Sequence, residues 1–225
     1  MDIAHNVALI RERINEACLR VGRSPEEVTL LAVTKYASDE AVRELLACGV
    51  HCFGESRVQA AVRRMAQFGS DVEWHLIGTL QTNKVKYCRS FALIHSLDRW
   101  PLAVELDKWA ARWEKRQDVL VQVNVSGEAT KHGVAPQHAL ELVRRITTEC
   151  PNLHVRGLMM MAPLVASEQT RPYFRRAREL YEDIQAALGL RWDTLSMGMS
   201  GDFEVAVEEG ATLVRIGSAL LREEE

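Results

Sequence analysis

Residues 28–58 read Val28-Thr29-Leu30-Leu31-Ala32-Val33-Thr34-Lys35-Tyr36-Ala37-Ser38-Asp39-Glu40-Ala41-Val42-Arg43-Glu44-Leu45-Leu46-Ala47-Cys48-Gly49-Val50-His51-Cys52-Phe53-Gly54-Glu55-Ser56-Arg57-Val58. The run Val28 to Thr34 is apolar or β-branched throughout, the pattern of a strand covered on both faces. Ser38 ahead of Asp39-Glu40-Ala41-Val42 caps a helix over 39–48, and Gly49 stops it. A second short strand follows at Val50 to Phe53. Strand, helix and strand in immediate succession form a βαβ unit, which requires a parallel sheet.

The same alternation continues outward from this unit. Further strand-like runs lie at 72–77, 92–95, 119–125, 154–159, 194–197 and 212–216, making eight in all. Helical patterns separate them at 57–68, 81–89, 99–115, 136–149, 168–188 and 202–209. Ahead of the first strand, Ile3, Val7, Ile10, Ile14, Ala17 and Val21 fall on one helical stripe and predict a leading amphipathic helix. Eight strands with helices between them predict an α/β fold, a (β/α)8 TIM barrel with an extra N-terminal helix. A doubly wound open sheet is the alternative. No Pro/Gly/Ser linker, repeat or low-complexity tract divides the chain, so residues 1–225 read as a single domain.

Composition narrows the function classes. Twenty-eight basic against 31 acidic residues leave a net charge of −3, without the basic stripe that nucleic acid would demand. No apolar run reaches the roughly 18 residues of a membrane span, and the N-terminus interleaves charges with its apolar positions, so neither a span nor a signal peptide is expected. The expectation is a cytoplasmic protein, a monomer or weak dimer. Cys18, Cys48, Cys52, Cys88 and Cys150 are odd in number and include no C-x-x-C pair, so they read as reduced thiols. Cys48, His51 and Cys52 form the one grouping that could face a metal ion, but they straddle a helix end and a strand start and read as structural. No metal site is expected.

In such barrels functional groups gather where strands end. Reading those ends gives Thr34-Lys35-Tyr36, Gly54-Glu55-Ser56, Gly78 with Gln81 and Asn83-Lys84, Ser96-Leu97-Asp98, Asn124 with Glu128 and Lys131, Met159 to Pro163, Ser196 to Asp202, and Arg215 to Ser218. Ser200-Gly201 and Gly217-Ser218 offer backbone N–H groups and hydroxyls for an anion such as a phosphate; alternatively the glycines only ease tight turns. Lys35 directly follows an apolar strand. Sheltered at its end, it would be desolvated and nucleophilic toward an aldehyde; at an open end it is a solvated lysine. Lys84 and Lys131 also lie in loops after strands, and Lys131 can instead pair with Glu128. His75 reads as a hydrogen-bonded core histidine, and Met159 to Met161 as pocket lining or core filler. Gly198-Met199-Ser200-Gly201-Asp202 misses the last glycine of a serine-hydrolase elbow, which rejects that chemistry.

Several runs carry a resemblance. Ala32-Val33-Thr34-Lys35, Phe53-Gly54-Glu55-Ser56-Arg57-Val58-Gln59, Trp74 to Lys84, Gly157-Leu158-Met159, Leu195 to Asp202 and Val214 to Ser218 resemble the pyridoxal phosphate homeostasis proteins, whose barrel is related to the N-terminal domain of alanine racemase. The resemblance spans nearly the whole chain. It implies that pyridoxal 5′-phosphate (PLP) is carried as a Schiff base on Lys35, with its phosphate around Ser200, Gly217 and Ser218. It further implies that Arg215 faces the pyridine nitrogen, and that Met197 and Ile77 wall the ring. Ser56 stands where the family usually has Asn, so its contact with the cofactor is open. A role in vitamin B6 and amino-acid homeostasis without turnover is implied, with transient contact to PLP-dependent apo-enzymes. Two other readings stay open: an amino-acid racemase, whose added β-domain would have to follow Ile216, and a Schiff-base aldolase that uses no cofactor.

Overall fold

The last strand of the chain lies beside the first. β8 (Leu213–Ile216) runs parallel to β1 (Thr29–Val33), with Leu31 opposite Arg215 and Ala32 opposite Ile216. Between them β2 (Cys52–Glu55), β3 (Glu73–Leu76), β4 (Leu93–Leu97), β5 (Gln117–Gln122), β6 (Leu153–Met159) and β7 (Thr194–Ser196) pair in chain order. The sheet is therefore a closed eight-stranded parallel barrel, and the open-sheet alternative is excluded. The computed structural model describes residues 2–69, 72–128 and 131–221.

Helices lie between the strands as the periodicity predicts: α2 (Asp39–Ala47), α3 (Val58–Phe68), α4 (Trp100–Arg112), α5 (Pro136–Glu149), α6 (Arg171–Leu188) and α7 (Phe203–Glu208), then α8 (Ser218–Leu221) after β8. Ser38 caps α2, its Oγ accepting from the Ala41 N–H at 3.1 Å. Gly49, at φ +72°, turns the chain toward β2. One connection differs from expectation. Residues 81–89 form a 3-10 helix, Thr82–Tyr87, in place of an α-helix. Val85 is its only buried residue, so no apolar stripe draws out further turns.

The leading helix α1 (Ile3–Arg20) is capped by Asp2, whose side chain accepts from His5 N at 2.9 Å. It buries Ile3, Val7, Ile10, Ile14 and Ala17 and packs against α2, α7 and α8. Asn6 Nδ2 donates to the Leu220 carbonyl at 3.1 Å. α1 thus covers the seam where β8 meets β1. No helix of the described residues is long and apolar enough to cross a membrane.

Strand alternation sorts side chains into two layers. Ala32, Phe53, Leu76, Val214 and Ile216 join the helices in one large core. Their neighbours Leu31, Cys52 and Leu213 form a small cluster inside the barrel, and Leu93, Leu120 and Met159 form a second. Arg215 lies two residues beyond Leu213 and so faces inward; it is buried.

Candidate functional site

A cavity of about 680 Å³ opens at the carboxyl ends of β1, β7 and β8. That volume is in the range of small-molecule sites. It is lined by Lys35, Ser200, Gly201, Arg215, Gly217 and Ser218 among others, so the structure brings together residues that stand far apart in the chain.

Lys35 sits in a tight turn, closed by the Ala37 N–H donating to Thr34 O at 2.9 Å. Two residues that sequence reasoning did not assign hold this turn. Arg64 of α3 donates from Nη1 to the Thr34 carbonyl and from Nη2 to the Ala37 carbonyl, each at 2.7 Å. The same Nη1 donates to Glu55 Oε1 at 2.7 Å, and that oxygen also accepts from Thr34 Oγ1 at 2.8 Å. Glu55 is buried on the outer face of β2, beside Phe53 in sequence alternation. The signal for Arg64 was weak, one of two successive arginines on an amphipathic helix. The shelter expected for Lys35 is not found. Its side chain is exposed, with Nζ 5.0 Å from the centre of the Tyr36 ring. The turn lifts it past the strand end, onto the rim rather than into the barrel.

Opposite in sequence, Ser200 and Gly201 occupy a turn just ahead of α7, which begins at Phe203, so they precede the helix rather than open it. Asp202 accepts from the Met199 N–H at 2.7 Å through Oδ1. Ser200 Oγ accepts from the N–H groups of Gly217 and Ala219, both at 3.3 Å. Two backbone donors from the start of α8 therefore converge on one oxygen. A side chain on Gly217 would place its Cβ 3.3 Å from Val33 Cβ, so glycine keeps this wall clear.

Arg215 donates from Nη1 to Ser196 Oγ at 2.7 Å and from Nη2 to the Met160 carbonyl at 2.8 Å. Burial pushes its pKa down to about 10, with the charge of Asp202 opposing the shift. At neutral pH it remains a cation, and its other N–H groups are donors available to the cavity it lines.

Three expected site residues lie elsewhere. Met197 is fully buried in the outer core, because alternation along β7 turns Leu195 and Met197 toward the helices and Ser196 inward. Ile77 packs on the inner cluster of Leu31, Cys52 and Leu213 alongside Val33, and Val33 rather than Ile77 reaches the cavity. Ser56 does not line the cavity; its carbonyl abuts Gly78, where an added Cβ would come within 2.2 Å of it. The competing lysines are likewise absent from the cavity wall. Lys131 donates to the Ala162 carbonyl at 2.9 Å and pairs with Glu128 at 3.3 Å, and Lys84 belongs to the 3-10 helix. Among the described residues, Lys35 is the one lysine that lines the cavity.

Comparison with known proteins fits this geometry. The family model described as alanine racemase, N-terminal domain, matches residues 2–224. A protein of Aquifex aeolicus named pyridoxal phosphate homeostasis protein is 46% identical over 226 residues, covering 99% of this chain and 99% of its own. The chain belongs to the pyridoxal phosphate homeostasis protein family. A second family member, from Pseudomonas aeruginosa, is 43% identical over 97% of this chain and 94% of its own length. The solved structure of PipY of Synechococcus elongatus with PLP bound is 34% identical to this homeostasis-family chain. It superposes with a TM-score of 0.86 over 98% of this chain and 100% of PipY.

Proposed function

We propose that the cavity binds pyridoxal 5′-phosphate, held covalently through the Lys35 amine, and that the protein carries or buffers this cofactor in vitamin B6 and amino-acid homeostasis without catalytic turnover. The observation that carries the reading is one lysine sharing a cavity with converging backbone donors and a buried arginine. A PLP-bound structure of the similar PipY supports it.

The residues present fit the group. The N–H groups of Gly217 and Ala219, which here donate to Ser200 Oγ, would turn to a phosphate oxygen that took its place, with the Ser200 and Ser218 hydroxyls on the wall as further donors. Arg215, a donor at neutral pH, suits an acceptor nitrogen and opposes its protonation, which would weaken the ring as an electron sink. When bound, the cofactor supplies an aldehyde that condenses reversibly with a primary amine, releasing water. The clamp of Arg64 and Glu55 fixes the turn from which that amine extends.

The wall also supports a carrier over a racemase. Racemisation needs acid/base groups on opposite faces of the reacting carbon. Lys35 and Tyr36, which both line the cavity, come from one turn, with the ammonium over the phenol ring. The reading places the protein in the cytoplasm, supported by five free cysteines. It acts there as a monomer or weak dimer that meets apo-enzymes transiently.

Borohydride reduction of the PLP-treated protein followed by peptide mapping tests the site. A pyridoxyl group on Lys35 is expected; label on Lys84 or Lys131 with Lys35 unmodified overturns it. Stoichiometric transfer of cofactor to an apo-enzyme, measured beside a racemase assay, separates carrier from catalyst.

A further inference from the structure

Arg215 is one end of a hydrogen-bonded string that runs through the barrel. Its Nη1 donates to Ser196 Oγ at 2.7 Å, and Ser196 Oγ lies 3.0 Å from His95 Nδ1. His95 Nε2 is 3.0 Å from His75 Nδ1, and His75 Nε2 is 3.0 Å from Glu73 Oε1. Ser196, His95 and His75 are buried, whereas the Glu73 side chain is 54% exposed. Glu73 and His75 line a second cavity of about 250 Å³, together with Thr29, Leu93, Thr194 and Leu213 from the first residues of β1, β4, β7 and β8. The string therefore joins the carboxyl-end cavity to the opposite mouth of the barrel.

Its ends set a donor at one mouth and an acceptor at the other. A guanidinium only donates and an ionised carboxylate only accepts. Ser196 must accept from Arg215 and is free to donate to His95 Nδ1. His75 donates from Nε2 to Glu73; where its Nδ1 carries no proton, that nitrogen accepts from His95 Nε2, and both imidazoles then hold their proton on Nε2. Burial above all, with the nearby charge of Arg215 adding to it, holds His95 well below the usual histidine range, consistent with a neutral His95.

We propose that Ser196, His95 and His75 are positioning residues that orient the Arg215 guanidinium toward the cavity, with Glu73 polarising the string from the far mouth. In the poorly polarisable lumen each bond strengthens the next, so the alignment of Arg215 depends on residues that never reach the ligand. The effect on bound cofactor rests on the functional reading above; the direction of the string does not.

The experiment uses full-length protein labelled with 15N-histidine, free and loaded with PLP. His95 and His75 are both expected as neutral Nε2–H tautomers at neutral pH. His95→Leu should shift the absorbance of bound PLP and speed its release a few-fold, up to about tenfold, the effect of losing one neutral hydrogen bond behind Arg215. His95→Gln, which keeps one donor and one acceptor, should restore both. If His95→Leu does not fold, Ser196→Ala cuts the same string without a large void and should give the same two changes. A charged or Nδ1–H His95 in the free protein overturns the proposal, as does a folded His95→Leu or Ser196→Ala protein with wild-type absorbance and release. Failure of wild-type protein to take up PLP overturns the functional reading instead, and the tautomers of the free protein still decide the direction of the string.

Discussion

Arg64 and Glu55 share a 2.7 Å hydrogen bond beneath the turn that bears Lys35, and through it helix α3 and strand β2 hold the backbone from which an exposed amine extends. Glu55 is only 2% exposed, and its Oε1 accepts from both this partner and Thr34. Removing one partner of such a buried pair costs about 3–5 kcal/mol. Arg64→Met should therefore lower unfolding stability by about that amount and slow borohydride trapping at Lys35. Arg64→Met combined with Glu55→Leu should recover part of the stability but not the trapping rate. Denaturant melts and trapping kinetics on the two variants check this.

Stability should rise with pH between about 5 and 6.5. His95 has a folded pKa well below its free value of 6.5, so in that window the unfolded chain binds the extra proton. Its contribution is whole above 6.5 and is lost as pH falls, at a slope of up to about 1.4 kcal/mol per pH unit. Burial opposes ionisation of Glu208, but hydrogen bonds from Arg171 and Arg20 outweigh it. That carboxylate acts lower, below about pH 4.3. Urea melts across pH 5 to 7 should show the slope in wild type and a shallower one in His95→Gln.

One thiol should react well ahead of the others. Cys52 is raised by burial and then by the charge of Glu73, while burial pushes Cys88 up to about 12 and Cys150 up to about 11. Cys18 is buried as well, whereas Cys48 is half-buried at the end of α2. Thiolates are the reactive form. Titration of the native protein with a disulfide reagent should give a single fast thiol that Cys48→Ser removes, and denaturant should release the rest.

Two glycines should answer substitution in opposite ways. A Cβ on Gly157 would lie 1.8 Å from the Thr194 carbonyl oxygen, a backbone atom that cannot step aside. Gly201 has nothing within 4 Å. Gly157→Ala should cost about 3 kcal/mol or more, the scale of severe overpacking, while Gly201→Ala should melt like wild type. Thermal unfolding of the pair decides it.

The barrel was legible in the sequence because its strands are buried on both faces and read as unbroken apolar runs between capped helices. Lys35, Ser200, Arg215, Gly217 and Ser218 were legible because strand ends converge, and all five line one cavity. Met197, one residue past β7, shares the parity of Leu195 and so faces the outer core. Glu55 lies within the run Phe53 to Gln59 but on the outer face of β2, and Arg64 of α3 belongs to no motif, so nothing in the sequence joined them. The bond from His95 to Ser196 spans 101 positions, and a lone histidine in an apolar strand does not announce such a partner.

The pairing of β8 with β1 also sets when the site can exist. Lys35 arrives with the first strand, while Ser200, Arg215 and Gly217 arrive with the last two. A nascent polypeptide still on the ribosome holds the amine without its counterpart wall, so a complete cavity must wait until synthesis has delivered the closing staves of the cylinder.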